Sequence, residues 1–458
     1  MAVMSGTVVQ KTDIARLETL IGGGKFDEAL ALCGEFLART PENPVYWNAR
    51  GLALRGLGRP AEAVPCLWKS IALDPKAAAS WTNLGNALKD LRQHGQAIVA
   101  LERAVRLAPR NALLHHNLGL ALVRDRQFDA AIAAFDRALA LDKARSAVRW
   151  DRALACLYRG DYQRGWADYE TRLSNGQMVP RQIAAAPWDG KEFPGKTLLV
   201  LSEQGFGDAI WVARFLPQLR ELGGRVILEA RPELVPLFDG NGLADAVIPK
   251  GAASPPADLY VHQCSLPRLF VPTLEAVAGK PYLTSDPKRV APLAALFGAQ
   301  PATLKVGIVW SGSATFKGNI ERAQPLRRFL DAFRLPGVQL YALQLGPQAQ
   351  ELAAARPEAM IDLAPHLRDF ADTAALLQHL DLVIMTDSAV AHLAGALGRP
   401  VWVLLNHVPH FLWSEANDQA PWYQSVRLFR PAAWDDWSGV YDRAAAALAD
   451  VVFNGASL

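Results

Sequence analysis

A step of 34 residues governs the first third of this chain. Gly51, Gly85 and Gly119 recur at that spacing, as do Ala29, Ala63, Ala97 and Ala131. Pro41, Pro75 and Pro109 keep the same step, Trp47 and Trp81 agree in phase, and Leu67, Leu101, Phe135 and Tyr169 fill a bulky slot. Small residues at fixed slots let two helices cross closely, and a proline that cannot continue a helix ends each unit. One such unit cannot bury its own apolar face. Successive copies must therefore stack.

A period of this length with two helices per copy is the tetratricopeptide pattern. Residues 1–173 are predicted to form a solenoid of about five helix pairs. Lys143 stands in the proline slot of the fourth copy, and Ala153 and Gly165 take the glycine and alanine slots of the last, as in a degenerate terminal repeat. Asn83 and Asn117 both precede Leu-Gly. Their amides could pair with the N–H and C=O of an extended peptide, which makes them candidate acceptor-binding residues; a solvated polar position is the plainer reading.

The remaining length leaves room for one or two further domains. With 458 residues, 20% charged, and a formal net charge of +3, the chain is too near neutral to argue for nucleic acid or an anionic membrane. No stretch is apolar enough for a membrane helix, and no leader pattern opens the chain, so insertion into a membrane is not expected and a cytoplasmic location is. Cys33, Cys66, Cys156 and Cys264 are scattered, without the close pairs of zinc or redox sites. There is no strict Asp-X-Asp or His-X-X-X-His cluster either, so the reading is of no metal and no resident cofactor.

Residues 174–196 lose periodicity and gain Gly and Pro, marking a linker. Two α/β halves follow, 197–290 and 303–458, with an Ala- and Pro-rich hinge around 287–302. Strands are predicted at Thr197–Leu201, Val226–Glu229, Ala246–Ile248 and Leu259–Val261 in the first half. In the second they are predicted at Lys305–Trp310, Gln339–Gln344, Leu382–Met385 and Val401–Leu405. Helices are expected at Ala209–Leu222 and Trp434–Val452. The fold class is thus α + α/β: a solenoid followed by a GT-B-like pair of Rossmann-type domains.

The densest functional signal lies at residues 381–405. A buried strand ends in Thr386, Asp387 and Ser388, an alanine-rich helix carries His392 in its first turns, and a second buried strand follows. Ligands of open α/β sheets bind at such carboxyl ends, where helix N-termini favour phosphate. Ser311 and Gly312 follow one strand, Lys317 the next loop, and Gln344 and Gly346 another strand, all on that same edge. In the first half, Gly205 and Gly207 form a turn after a strand, with Asp208 as candidate general base and Glu203 as the alternative; helix capping by Asp208 is the competing reading. Gly190–Thr197 satisfies Walker A spacing but precedes a strand instead of following one, so it is coincidental.

Residues 196–450 resemble the heptosyltransferase-like family 9 glycosyltransferases. The resemblance rests on Gly205-Phe206-Gly207-Asp208-Ala209-Ile210 and on Thr386-Asp387-Ser388-Ala389-Val390-Ala391-His392-Leu393. Nearly the whole chain is similar to bacterial proteins that join tetratricopeptide repeats to such a domain, including Gly160-Asp161-Tyr162, Gly165-Trp166 and Tyr169-Glu170. The resemblance implies a metal-independent, inverting enzyme whose donor substrate is a nucleotide-sugar. It makes Asp208 the base, Lys317 a phosphate contact, and Asp387, Ser388 and His392 donor-binding residues. It implies a protein acceptor held by the repeats, with a flagellin-like subunit as the best single guess. Glu321–Gln324 and Asn406–Trp413 depart from the family pattern. They leave two alternatives: a non-catalytic adaptor, or a transferase acting on a saccharide.

Overall fold

The computed structural model describes residues 2–458 except 177, 179, 180, 272, 274–278, 299–302, 356–359 and 415–417, with side chains from residue 11 onward. The chain divides into two compact units, Met1–Cys156 and Leu157–Leu458. The first is a stack of antiparallel helices: Ala2–Gly22, Phe26–Arg39, Pro44–Gly56, Pro60–Leu73, Ala78–Asp90, His94–Leu107, Ala112–Arg124, Phe128–Leu141, and then Ser146–Arg159, whose last three residues fall past the division.

The repeat slots explain the stacking. A Cβ on Gly51 would stand 2.6 Å from Leu67, one on Gly85 2.5 Å from Leu101, and one on Gly119 2.4 Å from Phe135. Each glycine is therefore the socket for the bulky residue of its own copy. A second repeated device closes the turns. The Trp47 and Trp81 indoles donate to the carbonyls of Pro41 and Pro75 at 2.7 and 3.0 Å. In the next copies His115 meets Pro109 O at 2.9 Å and the Arg149 guanidinium donates to Lys143 O at 3.1 Å. The proline slot thus serves through its carbonyl, which lysine also has. The three cysteines of the repeats, like Cys264, are buried and unbridged, and burial pushes the Cys33 thiol up to about 11.

The second unit holds two parallel sheets. In the first, β1 (Ala186–Pro187), β2 (Thr197–Leu201), β3 (Arg225–Ala230), β4 (Ala246–Pro249) and β5 (Leu259–His262) lie in the order β1-β5-β2-β3-β4. The second sheet contains β6 (Leu304–Val309), β7 (Val338–Ala342), β8 (Met360–Asp362), β9 (Leu382–Thr386), β10 (Val401–Leu404), β11 (Gln419–Ala420) and β12 (Tyr423–Phe429). Its order is β11-β12-β10-β9-β6-β7-β8, with only β11 antiparallel. Read from β8 to β12 this is the doubly wound Rossmann order, whose direction reverses between β6 and β9. The first sheet reverses between β2 and β5. These two reversal points are where the fold opens crevices.

Several expectations change in detail. The helix expected at Ala209–Leu222 starts earlier and breaks into Phe206–Val212, a 3-10 turn Ala213–Phe215 and Leu216–Glu221, because Pro217 cannot donate into a continuous ladder. The hinge region is ordered as Pro287–Val290 and Ala291–Phe297, with Phe297 stacked on His379 at 4.9 Å; its residues 299–302 lie outside those described. The expected domain end at 173 differs from the observed division after Cys156. The helix Tyr162–Tyr169 and the residues to Leu173 pack within the second unit, for reasons given next. Residues 177, 179 and 180 of the expected linker lie outside those described.

Candidate active site

Strands β6 and β9 end side by side, and their following loops build the second half's crevice. Gln344, just past β7, accepts from the amides of Trp310 and Ser311 at 3.0 and 2.9 Å, and so ties two strand ends together. Asn319 does the same one layer out: it accepts from Gly312 N and donates to Ser311 Oγ, both at 3.0 Å. A Cβ on Gly312 would stand 2.7 Å from the Arg322 guanidinium, so a side chain there would displace Arg322. Gly346 holds φ +82°, a left-handed turn suited to glycine.

Arg322 and Asp387 are the charged centre of this crevice. Arg322 Nη1 lies 3.3 Å from Asp387 Oδ2, with side-chain exposures of 17% and 5%. Its guanidinium also covers the Phe316 ring at 4.7 Å. Burial would raise the Asp387 carboxyl, but Arg322, His410 and His392 together hold it below its usual value. His392 is buried, stacked on Trp413 at 4.7 Å, with Nδ1 3.0 Å from the Tyr423 hydroxyl. Burial drives its imidazole down to about 3, so it is neutral at physiological pH. Beside it, Thr386 Oγ1 and Ser388 Oγ are buried without a hydrogen-bond partner among the described residues. Such groups are costly to leave unpaired and are available to a ligand.

In the first half, the β2 end is locked from an unexpected direction. Glu203 accepts two hydrogen bonds from Arg172, at 2.9 and 2.7 Å, and a third from Cys264 N at 2.9 Å. Both partners are buried, and Arg172 also donates to Glu170 at 2.8 Å and to Ser265 at 2.8 Å. This network fastens residues 170–172 to the β2 and β5 ends, which is why they belong to the α/β unit. Asp208 is placed otherwise. One carboxylate oxygen accepts from Gly205 N at 3.0 Å, and the other lies 4.0 Å from His410 Nε2. Capping and an open face therefore coexist in one side chain.

The two halves meet at these residues. A Cβ on Gly207 would stand 2.8 Å from His392 and 3.6 Å from the Ala389 backbone. Asp208, Gly205, Gly207, Asp387, Ser388 and His392 are accordingly brought together, with Ser311, Gly312, Gln344 and Thr386 along the same edge. Lys317 is exposed in the loop between Gly312 and Asn319. In the first unit Asn83 is half-buried and donates to Asn48 at 2.9 Å, and Asn117 is half-buried on the helix Ala112–Arg124. Sequence reasoning missed Arg322, Asn319 and His410. Arg322 sits 65 positions before Asp387 with no motif of its own, and only the crossover through β7 and β8 makes them neighbours.

Residues 346–427 match the family described as glycosyltransferase family 9 (heptosyltransferase). Residues 19–149 match one described as Psidin, N-terminal TPR repeats region. The chain joins tetratricopeptide repeats to a family 9 glycosyltransferase domain. The family 9 match takes in Thr386, Asp387, Ser388, His392 and His410, while Glu203 and Asp208 lie before it. Protein FlbA of Caulobacter vibrioides is 32% identical over 334 residues, covering 66% of this chain and 55% of FlbA. The chain thus spans about half the length of that curated relative. Among solved structures, MamA 41-end from Desulfovibrio magneticus RS-1 is 24% identical, covering 35% of this chain and 89% of its own, with a TM-score of 0.31. TTC0263, a thermophilic TPR protein in Thermus thermophilus, is 25% identical, covering 36% and 91%, with a TM-score of 0.32. Among the described residues no helix is long and apolar enough to cross a membrane.

Proposed function

We propose that the protein moves a sugar from a nucleotide-sugar to a hydroxyl of a protein acceptor, in a GT-B arrangement, with inversion and without a metal. The observation that carries this reading is the meeting of Gly207 and His392, which sets the strand-reversal crevice of one Rossmann half against that of the other. The donor's sugar and phosphates lie against Thr386, Ser388 and the β6 loop. Arg322 and Lys317 supply the positive charge that a leaving diphosphate requires, in the role a metal takes elsewhere. Asp208, on the facing half, accepts the proton of the acceptor hydroxyl as its oxygen attacks the anomeric carbon and the bond to phosphate breaks on the opposite side. Glu203, with both oxygens held by Arg172, is assigned to the scaffold. The repeats recruit the acceptor, and a flagellin-like subunit is the first to try.

The test is a panel of UDP-, GDP-, CMP- and ADP-linked sugars incubated with the protein and a flagellin, read by mass spectrometry with and without EDTA. Transfer that persists in EDTA and falls by at least about 100-fold in Asp208→Asn, with nucleotide affinity kept, is expected. Wild-type transfer in that variant removes Asp208 as the base. Saturable nucleotide binding without turnover across the panel favours the adaptor reading, and transfer to free glycans alone favours a saccharide acceptor.

A further inference from the structure

The loop Asn406–Trp413 puts one imidazole beside the carboxylate of the facing half. His410 Nε2 lies 4.0 Å from Asp208 Oδ1, and the imidazole also bears on Asp387 and His392. Its other nitrogen is occupied: Nδ1 accepts from Leu412 N at 3.4 Å. A neutral imidazole has one donor and one acceptor nitrogen, so this bond puts the proton on Nε2, the atom facing Asp208.

The loop is held in place from the opposite side. The Tyr158 hydroxyl donates to Pro409 O. The Phe411 ring is packed edge-on by Trp166 at 5.8 Å and Tyr169 at 6.0 Å, and lies 4.2 Å from the His410 ring. Trp166 in turn stacks on Trp211 at 5.7 Å, and Trp211 belongs to the helix that carries Asp208. One aromatic cluster therefore fixes both the loop and the helix that it faces.

We infer that His410 is a positioning residue for Asp208: its Nε2–H holds one carboxylate oxygen while Gly205 N–H holds the other, fixing the orientation of the basic lone pair. This rests on Asp208 being the base. The groups facing His410 are Asp208 from the helix Phe206–Val212, Asp387 from the end of β9, His392 from the following helix, and Arg322 behind Asp387. At 4.0 Å the two atoms stand too far apart for a hydrogen bond, and the contact is the kind that tightens when substrate closes a site.

Three substitutions in the full chain test it. His410→Gln keeps a donor at about the same reach, His410→Ala removes it, and His410→Glu replaces it with a carboxylate. With whichever panel donor turns over, kcat should fall about 3-fold or less for Gln, about 10- to 30-fold for Ala and over about 100-fold for Glu, the donor KM staying within about 2-fold. Gln and Glu losing activity alike would reduce His410 to packing and overturn the inference, as would a loss confined to KM. A second measurement needs no substrate. His410→Glu should lower the thermal midpoint more in the wild-type background than in Asp208→Asn, because the repulsion from Asp208 is then gone while that from Asp387 remains. Equal losses in both backgrounds overturn the pairing. Coupling with full transfer by Asp208→Asn would instead remove the base and leave the contact standing.

Discussion

At the residue scale, Asp208 and Glu203 show how far a sequence speaks. Both follow β2 and both are carboxylates at a glycine turn, so spacing alone cannot rank them. Arg172 ranks them by filling Glu203, and nothing local links residues 31 apart across a linker. Asp387 and His392 were legible because strand, turn and helix lie consecutively. Their surroundings were not, since Arg322, Trp413 and Tyr423 arrive from distant elements. His392 also carries a pH signature with a definite sign. Burial lowers its folded value to about 3, against about 6.5 for a free imidazole. Above the unfolded value both states are neutral there and its contribution is constant. As pH falls below it, the unfolded chain takes up a proton that the folded one refuses, so stability falls. Between about pH 7.5 and 5.5 the loss from this one group is about 1.4 kcal/mol. Urea unfolding of His392→Gln should show a correspondingly shallower pH dependence than the wild type; an equal slope would mean that His392 takes up its proton alike in the folded and unfolded chains.

At the element scale, the 34-residue step was readable because every copy solves the same packing problem with the same residues. The short strands were not. β1, β8 and β11 are two or three residues long, too short for any period, and β12 mixes buried and exposed positions without strict alternation. The reversal points likewise depend on strand order, which no local pattern encodes. The glycines give a test whose sign depends on the slot. In Gly85→Ala the new Cβ would meet Leu101 Cγ at 2.5 Å and the Ala97 carbonyl at 3.2 Å. The carbonyl belongs to the backbone and cannot swing away, so this change should destabilise the repeats by about 1–3 kcal/mol. Gly34 lies inside the helix Phe26–Arg39 with nothing within 4 Å of an added Cβ. Gly34→Ala should therefore stabilise by about 0.5–1 kcal/mol. Chemical denaturation of both variants checks the pair. Two changes of the same sign would show that the glycine sockets are not what sets helix spacing.

At the scale of the whole molecule, the question is what the repeats contribute to the proposed reaction, and the buried Arg172–Glu203 pair decides where the chain can be cut to ask it. A protein beginning near Pro187, inside the expected linker, would keep Glu203 and lose Arg172. Breaking a buried pair by removing one partner costs about 3–5 kcal/mol, and it would also strip Trp166 from the Trp211 face. Its failure to act would say nothing about acceptor recruitment. A protein beginning at Leu157, where the compact units divide, keeps Tyr158, Trp166, Arg172 and the whole His410 loop support. That shorter protein is expected to bind the nucleotide-sugar with wild-type affinity. It is also expected to modify a saturating small acceptor, such as a short hydroxyl-bearing peptide, at a comparable kcat. On the intact acceptor protein its kcat/KM should fall at least about 10-fold, because contacts spread along a solenoid add to affinity more than to chemistry. Equal kcat/KM on the intact acceptor would place acceptor choice in the cleft between the Rossmann halves. A double change at Asn83 and Asn117 in the full chain asks the same of two residues. Asn83 already donates to Asn48, so any loss it causes must be compared with Asn48→Ala before it is credited to the acceptor.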